Sequence, residues 1–171
     1  LHITSLPGPH GSGDLGPEAF HFVDWLVSAG QRVWQVLPTT PIGPGDSPYQ
    51  SESAFAGSPL MVALEPLVAS GWLAAPELPD GGFGNGRVDY ARVVPWRLAQ
   101  LRAASEGFFD RAAADDRVAF STWCTLQAHW RALGEIDTRA WRGLGVALLL
   151  ALPLAGILLL AWPDLMSSSM R

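Results

Sequence analysis

A chain of 171 residues is long enough to bury a core of its own, and 49% hydrophobic against 16% charged residues is a globular balance that leans apolar. The net charge of −5 argues against a nucleic-acid footprint, and all eleven basic residues are arginine in a chain rich in alanine, glycine and proline, a bias of GC-rich coding. The single cysteine, Cys124, excludes an intrachain disulfide framework and a cysteine-based metal site, and makes a reducing compartment the default.

The chain begins at Leu1 rather than Met, and Leu1-His2-Ile3-Thr4-Ser5 has no basic n-region ahead of it. It therefore reads without a signal peptide, as a first strand over residues 1–6 whose opening residues are cut away. Pro7-Gly8-Pro9 ends that run. His10-Gly11-Ser12-Gly13-Asp14-Leu15-Gly16 is a glycine-dotted loop with no Gly-Lys-Ser/Thr, so it is not read as a phosphate cradle. Pro17 then suits a first helical position and Glu18 a first turn. Phe22, Trp25, Leu26 and Ala29 follow at helical spacing, and Gly30 sits where a helix-ending glycine belongs. The spacing predicts a helix of about three and a half turns with one apolar face.

Val33-Trp34-Gln35-Val36-Leu37 reads as a buried strand, so residues 1–37 are expected to form a βαβ unit with a parallel pair. After it comes Gly45-Asp46-Ser47-Pro48-Tyr49-Gln50-Ser51, running on to Ala54-Phe55-Ala56-Gly57. Gly45, Pro48 and Gly57 suit no regular element. Asp46, Ser47 and Gln50 offer short-range donors and acceptors, and Tyr49 offers a ring with a hydroxyl at its tip. A polar and aromatic loop after a strand is where α/β proteins place binding groups; a connector that caps its own backbone is the plain alternative. Residues 60–64 make a third strand candidate, residues 67–73 a brief helix ending near Gly71, and residues 76–86 a connector with four glycines. Two helices are expected between Tyr90 and Leu133. The first carries Val93, Trp96, Arg97 and Leu101 with Pro95 in its first turn. The second covers residues 118–133, with its aromatic side chains in the core.

Residues 143–162 form an uncharged apolar run of twenty, about the 30 Å needed to span a bilayer at 1.5 Å per residue. Arg131, Arg139 and Arg142 precede it and Arg171 follows, so an inserted helix would leave residues 1–142 in the cytoplasm. A buried core helix and a tail read out of frame in GC-rich DNA are the competing readings of this run.

Chemical constellations are sparse. No GxSxG elbow surrounds a serine, and His2, His10, His21 and His129 are too scattered for a metal pair. A glycoside pair would come from Asp14, Glu18, Asp46 and Glu52. Asp14 and Glu18 read better as helix-start residues and Asp46 as a turn former, so no acid/base pair is assigned. Tyr49 beside serine, aspartate and glutamine is what a sugar site would use, ring against sugar face and side chains to hydroxyls.

Leu1-His2-Ile3-Thr4-Ser5-Leu6-Pro7-Gly8-Pro9, Gly13-Asp14-Leu15-Gly16, Trp34-Gln35-Val36-Leu37-Pro38, residues 45–51 and Ser53-Ala54-Phe55-Ala56-Gly57 closely resemble the N-terminal part of the 4-α-glucanotransferases (amylomaltases, disproportionating enzymes). Arg87-Val88-Asp89-Tyr90 extends the likeness, which covers roughly residues 1–130. The resemblance implies the N-terminal portion of a (β/α)8 TIM barrel, an α/β fold, with an inserted helical subdomain. Residues 1–86 would start the barrel and carry the substrate loop, residues 87–133 would be the helical insertion, and residues 134–171 a divergent tail. The implied activity transfers α-1,4-glucan segments between maltooligosaccharides, with retention through a covalent glycosyl-enzyme and without metal or organic cofactor, in the cytoplasm.

By position, Tyr49 matches the family tyrosine that packs on the sugar at the cleavage point, and Ser47 a neighbouring sugar-binding serine. The family's catalytic carboxylates match nothing here, so the chain alone is expected to be inactive. Pro44 and Val94 stand where some relatives carry tyrosines of an accessory glucan contact, and Glu52 where an apolar residue is common. Two other readings remain: a membrane-tethered, non-enzymatic protein anchored by residues 143–162, and a soluble glucan-binding module.

Overall fold

The computed structural model describes residues 1–52, 56–74, 81–84 and 86–126. Among the described residues four α-helices stand out: α1 (Pro17–Ser28), α2 (Glu65–Ala69), α3 (Tyr90–Arg111) and α4 (Ala114–Leu126). Short 3₁₀ turns cover Ile3–Ser5, Pro44–Asp46, Pro48–Gln50 and Pro59–Met61. The second half of the expected helix over residues 118–133 and the apolar run 143–162 lie outside the described residues. Among those described, no helix is long and apolar enough to cross a membrane.

The helix expected after Pro17 forms where the sequence puts it. Pro17 occupies the first position after Gly16, and Gly30 ends the helix at φ +71°. Gly30 N donates to the Val27 carbonyl and Gln31 N to that of Leu26, so the last orphan carbonyls find donors. Gly71 closes α2 in the same way, at φ +72°, with Trp72 N donating to the Leu67 carbonyl. α2 begins and ends earlier than the expected span, and α4 starts ahead of Val118 with Asp115 and Asp116 in its first turn. Pro95 sits in the second turn of α3 rather than the first, because the helix already begins at Tyr90.

The three expected strands do not form among the described residues, and the βαβ unit is corrected accordingly. In residues 1–6 the His2 side chain accepts from Thr4 N and winds the chain into a 3₁₀ turn. In residues 60–64 the Ser58 hydroxyl does the same for Leu60 N, just ahead of Pro59. Residues 33–37 carry no ladder, and Val33 is 78% exposed rather than buried. A strand needs a neighbour for its N–H and C=O groups, and among the described residues none forms a ladder with this segment. The one β-type contact described is an isolated antiparallel bridge between Gly43 and Ser47.

The core sits on α3. Val62, Leu64, Leu67, Trp72 and Leu73 pack against Leu101, Ala104, Phe108 and Ala112. Gly107 is required where α3 passes Trp72, since a Cβ there would fall 1.9 Å from the Trp72 carbonyl oxygen. A second cluster joins Ile3, Leu6, Ala19 and Met61, with Phe22 and Trp34 half-buried against it. The apolar face of α1 is only partly covered: Trp25 is 59% exposed.

Gly11, Gly13 and Gly16 fall at G-x-G-x-x-G spacing, yet they serve packing rather than a nucleotide. No strand precedes them among the described residues, and a Cβ on Gly13 would lie 2.2 Å from the Ile3 carbonyl oxygen. Asp14 leaves this loop inward. Its Oδ1 accepts from Gly16 N at 3.0 Å, a turn bond two residues on that leaves the first turn of α1 without a side-chain cap, while Oδ2 accepts from Arg97 at 2.9 Å.

Arg97 is fully buried on the apolar side of α3, and its Nη2 also donates to the Val62 carbonyl. That guanidinium therefore joins the loop before α1, the segment before α2, and α3. Replacing Arg97 by methionine leaves the Asp14 carboxylate buried without its cation, which costs about 3 kcal/mol. Urea denaturation should show that loss, and Arg97→Met/Asp14→Asn should recover part of it. A double variant no more stable than the single one would contradict the ion pair's role.

Candidate functional site

The loop that follows residue 38 is held mainly by bonds to itself. Gly43 N donates to the Ser47 carbonyl at 2.9 Å, and Thr40 Oγ1 donates to the Pro48 carbonyl at 3.2 Å. The Ser47 hydroxyl accepts from Tyr49 N at 3.3 Å, and its carbonyl accepts from Gln50 N at 3.3 Å. Pro44 and Pro48 each start a 3₁₀ turn, their φ already set. Gly43 must be glycine: a Cβ would sit 1.8 Å from the Gln50 carbonyl oxygen. Gly45 at φ +69° and Asp46 at φ +58° then take two consecutive left-handed steps. Asp46 is the sole non-glycine residue at positive φ among those described.

This backbone presents Tyr49 70% exposed, its ring open to solvent, with Ser47 half-buried beside it. Both residues proposed from sequence thus sit on one short turn. Next to the turn lies a cleft of about 220 Å³. Its polar lining comes from His2, Thr4, Ser5, Asp46 and Tyr90, and its apolar lining from Leu37, Ile42, Leu60 and Met61. Four separate stretches of chain meet there. The Met61 carbonyl accepts from Leu15 N at 3.0 Å, and Ser58 N donates to the Thr39 carbonyl at 2.9 Å, so the floor is tied to both sides.

The carboxylates do not pair as a glycoside site would need. Asp14 points into the core and Asp46 borders the cleft; Glu18 faces His21 on the exposed side of α1 at 3.9 Å, and Glu52 is exposed. Sequence reasoning missed the polar cluster around Arg97. His10 Nε2 lies 3.2 Å from Glu65 Oε1, and the His10 ring stacks on Trp96 with centroids 5.5 Å apart. Burial pushes the Asp14 carboxyl above its usual range despite the Arg97 guanidinium beside it. The hydrogen bond from His10 holds Glu65 below its own. The signal that could have found the cluster was Arg97 itself. It falls four residues after Val93 and four before Leu101, on the apolar stripe where a charge has to find a partner. Among the described residues no three His, Cys, Asp or Glu side chains gather as a metal set.

The backbone resembles that of an amylomaltase from Streptococcus agalactiae, solved in complex with acarbose. The TM-score is 0.67 at 36% identity, covering 75% of this chain and 26% of that one. A likeness of that size supports a TIM-barrel-type enzyme fold, of which these residues are a part. The sequence profile described as 4-alpha-glucanotransferase matches residues 1–133. A 4-alpha-glucanotransferase of Thermus thermophilus is 48% identical over 130 residues, 76% of this chain and 25% of that protein. The chloroplastic/amyloplastic 4-alpha-glucanotransferase of Solanum tuberosum is 47% identical over 154 residues, 82% of this chain and 27% of that protein. The chain belongs to the 4-alpha-glucanotransferase family. It spans about a quarter of the length of these relatives.

His2, which lines the cleft, links proton uptake to folding. Burial lowers its pKa from the ordinary 6.5, the Pro38 carbonyl opposing in part. Its Nδ1 accepts from Thr4 N at 3.3 Å and lies 2.8 Å from Thr4 Oγ1, and an accepting Nδ1 suits the neutral ring. The unfolded chain therefore binds the proton first. The stability that His2 contributes is fully present above pH 6.5 and is lost as pH falls through the lower folded value. Urea midpoints measured from about pH 7.5 to 5.5 should decline, and His2→Asn should flatten the decline. An equal decline in both proteins would rule His2 out as its source.

Proposed function

We propose that this chain is the N-terminal, glucan-contacting portion of a 4-α-glucanotransferase, with Tyr49 and Ser47 as substrate-binding residues. The enzyme would move α-1,4-glucan segments from a donor maltooligosaccharide to the 4-hydroxyl of an acceptor, with retention through a glycosyl-enzyme. Residues 1–86 supply the start of the (β/α)8 barrel and the substrate loop, residues 87–133 a helical insertion, and residues 134–171 a divergent tail.

The observation that carries this reading is a 70%-exposed tyrosine on a loop fixed by its own hydrogen bonds. Large aromatic rings at the surface are normally covered, because leaving them wet forgoes the free energy of burial. A ring already ordered in that position stacks on a sugar face with little further loss of entropy. Ser47, two residues earlier on the same turn, accepts from Tyr49 N and keeps its O–H free to donate to a sugar oxygen.

Transfer with retention needs two carboxyl groups about 5 Å apart across the glycosidic bond. The described carboxylates are engaged elsewhere or stand apart, so the role read for this chain is binding. Titrating maltotriose into the protein and following amide NMR shifts should move the signals of residues 43–51. Tyr49→Ala should weaken the affinity by about tenfold, equivalent to one stacked ring. Unchanged affinity in Tyr49→Ala would sink the binding role, and glucose release from maltotriose by the purified 171-residue chain would overturn the assignment of binding alone.

A further inference from the structure

Asp46 stands out as the non-glycine residue at positive φ among those described. It follows Gly45 in a second left-handed step, φ +58°, a region that aspartate enters more readily than most side chains but less freely than glycine. That step fixes where the side chain leaves the loop. Among the described residues no hydrogen bond or ion pair engages the Asp46 carboxylate. It borders the cleft of about 220 Å³ together with Thr4, Ser5, Tyr90, Leu60 and Met61.

We infer that this cleft is a sugar subsite and that Asp46 is its specificity-determining residue. The inference rests on the α-glucan reading of the loop and adds to the Tyr49 platform a place for a further glucose unit of the same chain. At about 30 Å³ per water the space holds about seven waters, or one pyranose ring in their place. A carboxylate only accepts, so two neighbouring sugar hydroxyls can both donate to it, while the Ser5 and Tyr90 hydroxyls can serve either role. The apolar floor takes the C–H face of the ring. One carboxylate among hydroxyls is a polyol set. A hard cation would require several carboxylate or carbonyl oxygens.

Two variants separate use from support. Asp46→Gly suits the left-handed backbone and removes the carboxylate, and Asp46→Asn keeps the shape and the turn preference while removing the charge. Both should bind maltotriose about tenfold more weakly, the loss of a charge-assisted bond. Asp46→Gly should at the same time melt at an equal or higher temperature than the parent chain. Parent-like affinity in both variants, with Tyr49→Ala still impaired, overturns the subsite and leaves the glucan reading standing. Weaker binding with a lowered melting temperature in both variants also overturns it, because the carboxylate would then be holding the loop. No maltotriose binding by the parent chain overturns the subsite and the glucan reading together.

Discussion

The buried ion pair between Arg97 and Asp14 is the constraint on which the rest of the structure depends. A guanidinium without solvent access has to be matched where it lies, and Asp14 and the Val62 carbonyl match it from two segments far away in sequence. Because the match is directional, it also fixes how those segments meet. The loop before α1 and the turn before α2 have one arrangement on α3 that brings Asp14 and the Val62 carbonyl to Nη2, while Nε and Nη1 are buried without a hydrogen-bond partner among the described residues. The apolar cluster of Leu64, Leu67, Leu101 and Phe108 supplies area but little direction. Hydrophobic burial favours compaction here, and the ion pair selects the register.

The candidate site inherits that register. Leu60 and Met61, the floor of the cleft, belong to the turn that leads into Val62, and Tyr90 opens the helix that carries Arg97. Leu15, next to Asp14, bonds the Met61 carbonyl. The substrate loop is a different kind of object. Its shape comes from bonds spanning two to eight residues, from two prolines and from one glycine that no other residue could replace. A self-supported loop thus stands beside a cleft whose walls are set by long-range contacts. That division lets Tyr49 remain exposed without loosening the core.

The elements that were legible in the sequence share one property: their causes are local. Pro17, Glu18 and Gly30 delimit α1 within its own length, and Gly71 stops α2. The turn chemistry of Ser47 and Pro48 marked the loop before its fold was known. The strands expected over residues 1–6, 33–37 and 60–64 are absent among the described residues for the complementary reason. Residues 1–6 and 60–64 have strand composition, but His2 and Ser58 offer the backbone a bond two residues on, and a 3₁₀ turn forms instead. Residues 33–37 have the composition without a partner strand among the described residues, and β-propensity describes a fit to a neighbouring surface more than a preference of the chain.

By itself the sequence determined the family, the helix that begins at Pro17, and a polar, aromatic loop carrying Tyr49 and Ser47. Tertiary structure alone decided that Asp14 turns inward to Arg97, 83 residues away, and that Asp46 rather than Asp14 borders the cleft. It alone brought Tyr90 beside Thr4, with 3.5 Å between their hydroxyls across 86 residues. The physical reason is range. Caps, turns and periodicity act over a few residues and leave their mark in short patterns. The partner of a buried charge is chosen by whichever group the packed chain brings within reach.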